Sequence, residues 1–138
     1  ESGTAVAETM NRALARAGIG PGQILAIKAH ATGTQNNDRS ESAALRTVFG
    51  EAAPPVTGLK SYIGHTVGAC GVNEMILFTE ALKAGFIPAT PGFRQPDEEL
   101  GLKPLTACRE AARGAYMLNY FGFGGNCTSL ILTNRGDD

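Results

Sequence analysis

Val6, Met10, Leu14 and Ala17 recur every three or four residues. That spacing puts them on one face of an α-helix over residues 2–17. Gly18 is the residue type that ends such a helix, because glycine enters the left-handed region without a Cβ penalty. After the Gly20-Pro21-Gly22 turn, Leu25 to Ala29 is a short apolar run that reads as a buried strand. Ser40 has the chemistry of an N-cap, and Ala44, Leu45, Val48 and Phe49 follow at helical spacing until Gly50. Val56 to Gly58 reads as a second short strand. Residues 66–84 then predict a long helix with little polar surface, carrying Val67, Ala69, Val72, Met75, Ile76, Leu77, Phe78 and Leu82. A helix apolar on most sides is expected to be buried between layers.

Phe86-Ile87 starts a further strand, cut short by Pro88. Residues 89–105 are rich in proline, glycine and charge and read as a loop. Tyr116 to Phe121 and Thr128 to Leu132 read as strands around a Gly122–Asn126 turn, close enough in sequence to pair antiparallel. Arg135 to Asp138 is a polar tail. Helices alternating with short buried strands predict a layered α/β fold with a mixed sheet and a buried central helix.

The chain has 138 residues, 43% hydrophobic and 18% charged, enough for one domain with a real core. A net charge of −1 gives no electrostatic reason to expect nucleic acid or a membrane surface. No apolar run reaches the ~18 residues of a spanning helix, and the first residues lack a signal-peptide pattern. Three cysteines without CxxC spacing fit reduced thiols in the cytosol better than a disulfide framework.

Chemistry concentrates in three segments: His30-Ala31-Thr32-Gly33-Thr34, Lys60-Ser61-Tyr62-Ile63-Gly64-His65 and Phe121-Gly122-Phe123-Gly124-Gly125-Asn126. His30 and His65 are the only histidines, and imidazole is the side chain that titrates nearest neutrality. His30 follows a buried strand, at the end where ligands bind in such sheets. Thr32 and Thr34 flank Gly33 and can offer hydroxyls to a polar ligand. Spacing alone leaves open a histidine that merely caps a turn. Lys60 and His65 lie just before a helix N-terminus, which favours an anion or a neutral imidazole. A solvated loop lysine is the alternative for Lys60. The glycines around Phe121 and Phe123 bring backbone N–H groups within reach of a ligand, the material of an oxyanion hole, or form only a hairpin turn. Glu41 and Glu74 each open an apolar helix, where solvation or helix-dipole complementarity is the default account. A zinc site is disfavoured, since the histidines are 35 residues apart (65 − 30) without a third ligand. The glycine run does not match a dinucleotide fingerprint.

Four stretches, "KAHATGTQNNDRSE", "VTGLKSYIGHTVGACGVNE", "FIPATPGFRQPDEE" and "YMLNYFGFGGNCTSLIL", occur in this order over nearly the whole chain. Together the chain resembles the C-terminal half of the β-ketoacyl-acyl carrier protein synthases, of the thiolase-like superfamily, in the elongating Cys-His-His type. The type that primes synthesis would carry asparagine at His65. The resemblance implies a thiolase-like α/β sandwich and decarboxylative Claisen condensation of an acyl thioester with malonyl-acyl carrier protein. It implies that His30 and His65 stabilise the thioester enolate, that Lys60 orients the second histidine, and that Glu41 and Glu74 pair with this network. It implies that Thr32 and Thr34 hold the phosphopantetheine arm, with Phe121 and Gly124 among the substrate-binding residues. Phe123 matches the gating phenylalanine, whose N–H joins the oxyanion hole. No resident cofactor or metal is implied, because phosphopantetheine arrives on the acyl carrier protein. A homodimer or heterodimer of the full-length protein is implied as well.

Departures are visible. Ala31 stands where the family usually has glycine, Gln35-Asn36-Asn37 replaces a stretch that commonly contains proline, and Cys127 replaces a small residue. They read as marks of a divergent branch, with secondary metabolism one candidate. The family's nucleophilic cysteine lies in its N-terminal half, and none of Cys70, Cys108 or Cys127 has that tight-turn setting. The chain is therefore expected to be a C-terminal domain over residues 1–138. It would lack its first strand and the nucleophile-bearing half, which it would need as a partner, and would be inactive alone. The alternatives are a non-catalytic partner of the chain-length-factor kind and a carrier-protein-binding module. An upstream cysteine on a strand-to-helix turn would select the enzyme.

Overall fold

A computed structural model describes residues 3–134. The polar tail expected from Arg135 onward lies outside the described residues. Helix α1 covers Thr4–Ala17 and closes at Gly18, whose backbone is left-handed at φ 66°. Strand β1 is Ile24–Lys28 and helix α2 Gln35–Phe49. Strand β2 is Val56–Thr57, the short helix α3 Lys60–Ile63 and helix α4 Cys70–Lys83. Strands β3 (Phe86–Ile87), β4 (Arg109–Glu110), β5 (Ala115–Phe121) and β6 (Cys127–Thr133) complete the described chain.

The main sheet has the order β2-β1-β5-β6. Strand β1 runs parallel to β2 and to β5, and β5 pairs antiparallel with β6. The expected sheet members and the mixed pairing are therefore observed. Alternation along the strands sorts the core onto two faces. Ile27, Ala29, Ala115 and Met117 pack with Val6, Met10 and Leu14 of α1 and with Ala44 and Leu45 of α2. Ala26, Tyr116 and Leu118 pack on the other face, against Phe78 and Leu82 of α4. The result is a layered α/β sandwich with the sheet between two helical layers.

Three expectations are corrected. Helix α2 begins at Gln35, with Thr34 as N-cap, so Ser40 lies inside the helix. Its first turns are polar because they face solvent, and periodicity is silent there. Helix α4 is not buried on all sides among the described residues. Glu74, Phe78, Ala81 and Leu82 form the stripe that meets the sheet, while Val72 and Ile76 are 57% and 52% exposed. One sheet face can cover only one helix face. A small second sheet joins Phe86 to Glu110 and Ile87 to Arg109 in antiparallel pairing. Strand β4 carried no apolar signal, since both its residues are charged and exposed.

The loop over 89–105 is regular only where its ends are tied. Leu105 N–H donates to Val56 O at 2.8 Å and Thr90 N–H to Leu105 O at 2.7 Å. These bonds hold the loop against the strand ends from which the site is built.

Candidate active site

Strand β1 carries the chain straight into His30, which is only 2% exposed. The turn that follows is held by one buried carboxylate. His30 N–H donates to Glu41 Oε1 at 2.9 Å, and Ala31 N–H donates to Glu41 Oε2 at 3.0 Å. Glu41 sits in the interior of α2, 3% exposed, so solvation at a helix start is not its role. Burial pushes its carboxyl pKa up, against the downward pull of the two amides. Ala31 is forced to φ 47°, a region that favours glycine. Its Cβ fills the space beside Gly58, where any Cβ would come within 3.0 Å of it.

Lys60 opens α3 immediately after β2, and it is 8% exposed. The solvated-loop account of this lysine is overturned, and the histidine it contacts is His30, not the second histidine that the resemblance implied. Its ammonium lies 2.7 Å from Glu74 Oε1, donates to His30 O at 2.5 Å, and stands 3.5 Å from His30 Nδ1. Glu74 is fully buried in α4, so dipole complementarity at a helix start fails for it too. His30 is pushed down to about 3, first by burial and then by the charges of Lys60 and Lys28 and by His65. At neutral pH its ring is uncharged. With the Lys60 cation facing Nδ1, the ring proton belongs on Nε2.

His65 is exposed and follows the short α3, one residue past Gly64. Its Nδ1 accepts the Val67 N–H at 3.0 Å. A backbone amide can only donate, so this ring also carries its proton on Nε2. Val67 holds the geometry at φ 47°, a strained value for a β-branched residue. The two imidazole centroids are 5.9 Å apart at an interplanar angle of 89°. Phe121, at the end of β5, sets its ring 5.2 Å from His30. The structure thus brings His30, Lys60, His65, Glu41, Glu74 and Phe121 to one place.

The other residues singled out in the sequence lie at the rim. Thr32 and Thr34 share a hydrogen bond at 2.9 Å, and Asn37 donates to Thr32 Oγ1 at 3.0 Å. Phe123 begins a short 3-10 turn to Gly125, and its side chain lies outside the described structure. Gly124 has φ 78° in that turn, which Gly122 N–H closes on Asn126 O at 2.7 Å. Cys127 pairs across from Phe121, and burial pushes its thiol up, away from the thiolate a nucleophile needs.

One member of the site was missed in the sequence. Lys28, the last residue of β1, is fully buried. It donates to Glu74 Oε2 at 2.5 Å and to Asn119 O at 2.8 Å. Burial pulls its pKa down to about 8 against the attraction of Glu74. The available signal was a lysine closing an otherwise apolar strand.

A cavity of about 440 Å³ is lined by Ala29, Ala31, Glu41, Ser42, Gly58 and Phe93 among others, and by neither histidine. Among the described residues no group of three or more His, Cys, Asp or Glu is placed to hold a metal ion. Nor is any helix among them long and apolar enough to cross a membrane.

The family model described as "Beta-ketoacyl synthase, C-terminal domain" matches residues 1–94. The 3-oxoacyl-[acyl-carrier-protein] synthase 2 of Mycobacterium tuberculosis is 37% identical over 132 residues, covering 95% of this chain and 32% of its own length. The solved ishigamide ketosynthase/chain length factor is 37% identical with a TM-score of 0.88, over 94% of this chain and 32% of that one. A chain of a solved complex, a type II polyketide synthase acyl-carrier protein with its ketosynthase bound to the hexaketide, gives a TM-score of 0.88. There the identity is 27%, over 99% of this chain and 34% of that one. The chain thus spans about a third (32%) of the length of the first relatives it matches.

Proposed function

Because the chain belongs to the β-ketoacyl synthase family through its C-terminal domain, with a thiolase-like fold, we propose that it supplies the decarboxylation half of a 3-oxoacyl-acyl carrier protein synthase site. The observation that carries this reading is the pair of neutral imidazoles 5.9 Å apart, each with Nδ1 occupied and Nε2–H left to donate. When a malonyl thioester loses CO2, the electron pair of the breaking C–C bond moves onto the thioester carbonyl oxygen. Two fixed N–H donors in a partly desolvated cleft stabilise that charge as it forms. The enolate carbon then attacks an acyl thioester on a cysteine of the remaining protein, and the cysteine sulfur leaves as thiolate.

Each neighbour has a task in this scheme. Lys60 keeps His30 in the Nε2–H form and repels a second proton from it. Glu41 fixes the amides of the turn that bears His30. Thr32 and Thr34 offer their hydroxyls to the phosphopantetheine arm of an acyl carrier protein in this scheme, and that arm is the only prosthetic group it needs. Phe121 walls the cleft beside His30, and the Phe123–Gly125 turn offers backbone N–H groups at its rim. Acyl carrier protein, the remainder of the protein and a dimer are the proposed partners, in a reducing compartment such as the cytosol. A non-catalytic partner role is the weaker reading, because both histidines and Lys60 are assembled here.

The test is made in the whole protein. His30→Ala and His65→Ala are each expected to slow malonyl-carrier protein decarboxylation about 100- to 1000-fold, while acyl transfer to cysteine survives in part. Decarboxylation at the unaltered rate in either variant would refute the proposal.

A further inference from the structure

Four charged side chains are buried around His30: Lys28, Lys60, Glu41 and Glu74. Two cations and two anions cancel when all are ionised, which is the condition for burying them together. Glu74 is the shared member. Its Oε2 faces Lys28 at 2.5 Å and its Oε1 faces Lys60 at 2.7 Å. Lys28 has every donor direction met, by Glu74, by Asn119 O at 2.8 Å and by the face of Tyr120, whose ring centre lies 3.6 Å away. Lys60 has only one oxygen of Glu74 and spends its remaining donors on His30.

We propose that Lys28 is a positioning residue. Its ammonium is a resident internal cation that occupies one oxygen of Glu74 and so leaves Lys60 directed at the carbonyl and Nδ1 of His30. This rests on the catalytic reading of His30 given above, but the geometry it asserts can be tested without it. Without the Lys28 charge, Glu74 would hold a single buried counter-ion, and Lys60 would be drawn toward both of its oxygens. The price is the hold on His30, whose ring would lose the cation that selects its tautomer. His65 takes its tautomer from the Val67 amide, on a separate contact, and should not respond.

The experiment uses long-range 1H–15N spectra of the whole protein at pH 7, in which His30 and His65 are distinguished by single substitution. In the unaltered protein both rings are expected as the Nε2–H tautomer. In Lys28→Met, His30 should become a mixture of tautomers while His65 stays as it was. In the same variant, kcat for malonyl decarboxylation should fall about tenfold with KM within about twofold, as when an orienting partner of a reacting group is lost. In Lys28→Ala, n-propylammonium, which carries the atoms removed, should restore the His30 signal, and neutral n-propanol should not. A single unchanged His30 tautomer in Lys28→Met overturns the proposal. If the unaltered protein does not decarboxylate, the catalytic reading falls and the tautomer result still decides the placement of Lys60. Should both variants fail to fold, the Lys28 ammonium of the unaltered protein decides. A slowly exchanging signal that is lost in Glu74→Gln supports the bond, and rapid exchange overturns it.

Discussion

At the scale of single residues, the site depends on donors and acceptors being assigned without ambiguity. A backbone amide can only donate, so the Val67 N–H fixes the tautomer of His65, and the Lys60 ammonium does the same for His30. The arrangement is strained at Ala31, where φ 47° crowds the Cβ. Ala31→Gly is therefore expected to stabilise the fold by roughly 0.5 to 1 kcal/mol, strain relief outweighing the extra freedom of glycine in the unfolded chain. Urea unfolding checks this: the midpoint should rise at unchanged slope. A lower midpoint would mean that the contact of the Ala31 methyl with Gly58 outweighs the strain. The glycine that the resemblance led one to expect at this position would suit a turn that must bend left-handed to present His30.

At the scale of elements, α4 carries two separate duties. Its inner stripe delivers Glu74 and packs Phe78 and Leu82 on the sheet. Its outer stripe leaves Val72, Ile76 and Leu77 exposed at 57%, 52% and 41%, with Val67 at 75% just before it. Contiguous exposed apolar residues of this kind are normally covered by a partner. Val72→Ser with Ile76→Ser should change the stability of the 138-residue chain by only about 0.5 kcal/mol, because these side chains bury little here. The same change should reduce binding of an apolar dye to this chain and weaken its association with the rest of the protein. Undiminished dye fluorescence would place the exposed surface elsewhere. The sequence marked α4 as apolar on most sides, which is correct as composition.

At the scale of the whole molecule, the sheet brings together groups from four segments. Strand β1 ends at Lys28 and leads into His30, β2 leads to Lys60, β5 ends at Phe121, and α4 crosses behind them with Glu74. Among the described residues no cysteine has a hydrogen bond to either histidine: burial pushes the Cys127 thiol up, Cys108 is exposed, and Cys70 opens α4 half-buried. Residues 1–138 expressed alone are therefore expected to give no ketoacyl product from acyl and malonyl thioesters, and to self-associate in light scattering through the exposed α4 face. Measurable condensation would assign the acyl group to one of the three cysteines of the chain. A monomer without dye binding would refute the exposed-surface argument.

The sequence by itself determined the main elements and their order, but not the short helix α3 or strand β4. Apolar spacing reports burial along one element: α1 repeats a helical period, while β1 and β5 are mostly apolar runs buried along most of their length. It also marked His30, Lys60 and His65, because they sit at the ends of such elements beside glycine. Only the tertiary structure decided what Glu41, Glu74 and Lys28 do. A charged residue in an apolar stretch reads as solvated until its partner is known, and the partner of Lys28 lies 46 residues away in another layer. Pairing of that kind leaves no periodic trace. It exists because burying one charge demands another of opposite sign within a few ångströms, and the packing of α4 on the sheet is what supplies it.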